Sequence, residues 1–121
     1  NCRLMERTVL ARKDVQEKLA GMVLSQLYLD SVPGIADAQL HEQILEHNRT
    51  LAVEMLQYVT MPSYAIVTPD GKQVLAIFPG VDPSGGEKFL EFIEAGISRW
   101  KQNSASAGTT PSATTSSTAK L

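Results

Sequence analysis

The last 19 residues, Asn103 to Leu121, are almost all Ser, Thr, Ala and Gly, with five Ser and five Thr among them. So polar a stretch buries too little to repay the entropy of ordering it, and it is expected to remain disordered. Any core must come from residues 1–102, enough for one small domain. Thirteen acidic against eleven basic side chains give a formal charge of −2. With no cationic excess to displace counterions from a phosphate backbone, nucleic acid is a poor partner. The longest apolar stretches, Gly21 to Leu29 and Tyr64 to Val67, fall well short of the roughly 20 residues that span a bilayer. One cysteine rules out an internal disulfide and a Cys-only metal cage, but a lone thiol can still serve redox chemistry if a second lies elsewhere. The chain begins with Asn and has no charged-then-apolar leader, as expected of a piece of something longer.

Between Cys2 and Leu19, the residues Leu4, Met5, Val9, Val15 and Leu19 recur at helical spacing among charged residues. A break at Lys13-Asp14 is expected to divide two short helices, with Asp14 as N-cap of the second. Met22 to Asp30 is rich in Val, Leu and Tyr with apolar residues on both alternating faces, the pattern of an inner strand. Ser31 to Asp37 reads as a loop. Leu40, Ile44, Leu45, Leu51, Met55, Leu56 and Val59 return to helical spacing, so residues 37–57 are expected to form one long helix or two consecutive ones. Strands Ser63 to Thr68 and Gln73 to Phe78, joined by Pro69-Asp70-Gly71-Lys72, make an antiparallel hairpin. A final helix from Ser84 or Glu87 to Lys101 carries the stripe Phe89, Leu90, Phe92, Ile93, Ile97 and Trp100, whose burial at about 1.5–3 kcal/mol per side chain is a large stabilising term. The order predicts an α/β fold with a mixed sheet covered by helices.

The opening Asn1-Cys2-Arg3-Leu4-Met5-Glu6 resembles the second half of a Cys-x-Asn-Cys-x-x-Met-Glu active-site helix. Such a helix is found in the C-terminal thioredoxin-like domains of DsbD-type thiol:disulfide interchange proteins. Downstream, Val23 to Asp30 is similar to the strand after that helix, Thr60-Met61-Pro62 to the loop holding a cis-proline, and Thr68 to Lys72 to the last hairpin turn. The resemblance covers about residues 1–101. It implies that residues 1–102 are a partial thioredoxin-like domain starting at the active-site helix and lacking its first strands. It further implies a protein-disulfide reductase, with disulfide-bearing proteins as partners and electrons arriving from a membrane-embedded module. The location would be extracytoplasmic, in the periplasm and tethered to that module, in the setting of cytochrome c biogenesis. No cofactor is implied, because sulfur holds both electrons.

In the family the first cysteine of Cys-x-x-Cys is the nucleophile and the second resolves the mixed disulfide. The resemblance makes Cys2 the resolving cysteine, in a first helical turn whose free N–H groups favour a thiolate; its partner would sit two residues before Asn1. With one thiol the chain itself is not expected to complete a catalytic cycle. Pro62 is expected in the cis form, leaving the Met61 backbone beside the thiol to pair with an extended substrate segment. Cys2 as a small buried hydrophobe, Met61 as ordinary packing and Tyr64 as core or rim are the plainer structural readings. A redox-inactive thioredoxin-fold protein-interaction module is the alternative function, and a one-cysteine exchanger working with a small thiol is a third.

Other chemistry is weakly signalled. His41 and His47 are six residues apart, which on a helix turns them about 120° from each other, so they cannot easily share an ion and no metal site is expected. Asp70 and Asp82 lie in turn sequences where carboxylates bond local N–H groups. Gly85-Gly86 lacks the Lys and Ser/Thr of a phosphate loop and reads as the start of a helix.

Overall fold

The computed structural model describes residues 1–57 and 60–109. Among them are four helices and one two-stranded antiparallel sheet, in the order α1 (Cys2–Thr8), α2 (Lys13–Leu19), α3 (Ala38–Leu56), β1 (Ser63–Val67), β2 (Val74–Pro79) and α4 (Glu87–Thr109). The architecture is α/β. The chain divides into two compact units, Asn1–Val23 with Thr60–Leu121, and Leu24–Val59.

In the first unit the hairpin forms where the turn residues demand it. Gly71 N–H closes on the Thr68 carbonyl at 2.8 Å, and Gly71 takes a left-handed φ of 74° that suits glycine. Asp70 stiffens the same turn by accepting from the Thr68 hydroxyl and from Lys72 N–H at 3.0 Å. Beyond a register shift between Val67 and Ile66, next to the turn, Ile66 pairs with Ala76 and Tyr64 with Phe78. Tyr64, Ile66, Ala76 and Phe78 thus share one face. They pack against a core of Met5 and Val9 from the α1 region, Val15 of α2, and Phe89, Phe92 and Ile93 of α4.

Three expectations are corrected here. Helix α2 begins two residues earlier than an Asp14 cap requires: Arg12 is its N-cap, and Asp14 sits in the first turn with its carboxylate on Val15 N–H and the Arg12 guanidinium. Helix α4 runs to Thr109, so residues 103–109 of the tail expected to be disordered continue the helix, while residues 110–121 lie outside the described residues. Trp100 is 42% exposed rather than part of the buried stripe, which ends near Gly96 and Ile97.

In the second unit, Asp37 caps α3 by accepting from Leu40 N–H at 2.8 Å. Leu45 and Ala52, seven residues apart on one face, are its buried residues, and Gln57 ends it in a left-handed conformation with its N–H on the Val53 carbonyl. Val59, assigned to the same apolar stripe, lies outside the described residues. Met22 to Asp30, which spans the division between the units, is not a strand. No described strand pairs with it, and an extended segment becomes a strand only through a ladder of hydrogen bonds. Val23 and Leu24 are accordingly 98% and 68% exposed.

Candidate functional site around Cys2 and the Met61-Pro62 loop

Cys2 is the first residue of α1 and is half-buried. The next turn anchors it: Met5 is fully buried, and its sulfur accepts from Asp82 N–H at 3.3 Å. Asp82 in turn holds the start of α4, with its carboxylate accepting from Phe89 N–H and Ser84 N–H, each at 2.8 Å. The cysteine therefore rides on a short helix pinned to the core through its fourth residue.

Opposite in sequence, the Met61-Pro62 bond is cis. Pro62 is buried and Met61 is 58% exposed. The Pro62 carbonyl accepts from Gly80 N–H at 2.7 Å, which locks the loop to the end of β2, and the Ser63 hydroxyl donates to the Thr60 carbonyl. Loop geometry is thus set by the hairpin itself.

Tyr64 joins these two parts. Its ring meets Phe89 edge-on, with centroids 5.0 Å apart at 85°. Burial pushes the phenol above the ordinary tyrosine range, and charge on Cys2 and Glu6 pushes it further. Tyr64, two places beyond Pro62, packs against the core that holds Met5, three residues after Cys2. Tyr64 belongs to the rim of the core, as the sequence suggested, but the proximity of Glu6 was not foreseen. The only advance signal was Glu6 lying one helical turn from Cys2.

The remaining candidates play local parts. Asp70 and Asp82 bond their own turns. Gly85 and Gly86 lead into α4 with φ of 77° and 131°. His41 accepts a backbone hydrogen bond from Val32. Among the described residues no group of three His, Cys, Asp or Glu is placed to hold a metal ion, and no helix is long and apolar enough to cross a membrane. Comparison of the chain with protein-family models, curated proteins and solved structures found no match.

Proposed function

We propose that the chain is part of a thioredoxin-like thiol:disulfide reductase domain, with Cys2 as resolving thiol and Met61-Pro62 as a ledge for an extended segment of a disulfide-bearing protein. The reading is supported by Cys2 opening α1, whose Met5 is buried in the core that Tyr64 packs against, while Tyr64 follows the loop that exposes Met61. In the complete reaction an upstream cysteine thiolate attacks a partner disulfide, forming a mixed disulfide and expelling one partner thiolate. Cys2 then attacks the upstream sulfur, an intrachain disulfide forms and the second partner thiolate leaves. The partner gains two electrons and the domain loses them. In this reading a membrane-embedded module returns them and the domain faces the periplasm.

Cys2 alone can perform the exchange half of this chemistry, and that half is testable. A peptide whose cysteine is blocked as a 5-thio-2-nitrobenzoate disulfide should be captured by Cys2, with release of the coloured thiolate. The expected rate is about tenfold above that of free cysteine blocked in the same way, the equivalent of about 1.4 kcal/mol from strand-like pairing at the ledge. N-methylation of the peptide backbone beside its cysteine should remove the preference, and Cys2→Ser should remove capture. Equal rates for peptide and free cysteine would count against the ledge. The single cysteine among 121 residues favours a second reading, a redox-inactive thioredoxin-fold interaction module. Peptide binding of undiminished affinity in Cys2→Ser, with no capture by the unsubstituted chain, would select it.

A further inference from the structure

The end of the segment that was expected to be a strand, and the loop that follows it, are tied to α3 by three side chains within the second unit. Asn48 Nδ2 donates to the Tyr28 carbonyl at 2.8 Å, Arg49 Nε donates to the Leu29 carbonyl at 2.9 Å, and His41 Nε2 accepts from Val32 N–H at 3.0 Å. His41 and Asn48 are seven residues apart, so they lie on nearly the same helix face about 10.5 Å from each other along the axis. Tyr28 to Val32 therefore runs from the Asn48-Arg49 end of α3 back toward His41, bending at Leu29 and Asp30.

The three ties differ in kind. Asn48 and Arg49 are donors whose capacity does not change across the neutral pH range. His41 is an acceptor, and an imidazole accepts only when neutral, since the imidazolium carries a proton on both nitrogens. We propose that Tyr28–Val32 is a strap on α3 with a proton-operated clasp at His41: the neutral ring holds Val32, and protonation frees that end while the Asn48 and Arg49 end stays fastened.

The charged groups at this end of the two elements already have partners of their own. Asp30 accepts from Ser31 N–H at 2.8 Å, Asp37 accepts from Leu40 N–H at 2.8 Å, and Glu42 pairs with Arg49 at 3.1 Å. Carboxylates as a class ionise below the imidazole range, and guanidinium stays charged through it. Over that range the clasp is therefore the one tie among the three that changes. The sign follows directly: the contact is present at the alkaline side and lost as pH falls. The freed chain would be Ser31 to Ile35, which includes Pro33 and Gly34, the latter at φ 81°.

Hydrogen exchange and ¹H–¹⁵N spectra of the 121-residue chain, taken from about pH 8 to about pH 5 across the imidazole range, test the proposal. At the alkaline end, long-range ¹H–¹⁵N correlation should place the His41 ring proton on Nδ1. Corrected for intrinsic exchange, protection of the Val32 amide should fall about tenfold as the His41 ring titrates, the effect of losing one hydrogen bond. The amides of Leu29 and Asp30, which share peptide groups with the two fastened carbonyls, should keep their shifts. His41→Gln, whose amide oxygen accepts without titrating, should hold Val32 at every pH, while His47→Gln should behave as the unsubstituted chain. A ring proton on Nε2 at the alkaline end, measured without any substitution, would overturn the proposal. So would Val32 protection indifferent to His41 titration, or pH dependence that survives in His41→Gln.

Discussion

Asp82 shows how one carboxylate organises this chain. It is 4% exposed, and its two oxygens take the Ser84 N–H and hydroxyl on one side and Phe89 N–H on the other. Burial alone would raise its pKa. Hydrogen bonds from the Ser84 hydroxyl and from the N–H groups of Phe89, Ser84 and Gly86 outweigh burial and hold the carboxyl below the usual aspartate range. Because its folded value lies below the unfolded one, the stabilisation is fully present above about pH 4 and is lost as pH falls through the folded value. Replacement by Ala leaves buried donors at the start of α4 without an acceptor. Asp82→Ala is therefore expected to cost about 2 kcal/mol and to flatten the acid limb of stability. Urea unfolding at a series of pH values measures both. An unchanged acid limb would show that Asp82 does not carry it.

At the scale of elements, α4 and β1 meet in a close fit at Gly96. Gly96 lies within α4, and a Cβ there would stand 2.5 Å from Ile66 Cδ1, 3.1 Å from Cγ2 and 3.2 Å from Cβ. The outer methyl can turn aside, but the branch atoms are held by the strand. Alanine would improve helix propensity by about 1 kcal/mol, whereas overpacking costs about 1–3 kcal/mol, so the contact decides the sign. Gly96→Ala should destabilise by about 1 kcal/mol, read as a lower denaturant midpoint at unchanged slope. A raised midpoint would mean that β1 yields easily. The other end of α4 is fixed by Arg12, which is bidentate to Asp14 and reaches the Gly85 carbonyl at 3.0 Å and Glu87 at 3.3 Å. Its side chain fills the space where a Cβ on Gly86 would stand.

For the molecule as a whole, the open edge of the sheet matters most. Gly80 N–H on the Pro62 carbonyl sets the register, and the alternation of an antiparallel ladder then turns the backbone groups of Ala65 away from β2. Among the described residues no strand covers that edge, and β1, Ser-Tyr-Ala-Ile-Val, carries no charge or proline to discourage a partner. Exposed Val23, Leu24 and Ile77 add apolar surface. The chain is expected to self-associate in a concentration-dependent way, and Ala65→Lys, a charge on the exposed edge strand, should suppress it. Light scattering on size-exclusion fractions at several concentrations decides this. Equal masses for the two proteins across that series would remove the edge as the cause.

Much of this architecture was legible without coordinates because it is local. The 3.6-residue period marks α3 and α4, and Pro69-Asp70-Gly71 announces the turn it makes. The placement of Cys2 at a helix start and of Pro62 before a strand was legible in the same way. What failed depended on distant partners. Met22 to Asp30 has the composition of a strand, but strand structure is a property of a ladder, and no described ladder reaches it. Trp100 continues the apolar period of α4 past the end of the core that could bury it. Arg12, unremarkable in the sequence, caps α2 because Asp14, Gly85 and Glu87 converge on its guanidinium from 73 and 75 residues away as well as from two. Short-range propensity determined which segments turn or coil; hydrogen-bond and packing partners far along the chain decided which of the remaining segments became structure.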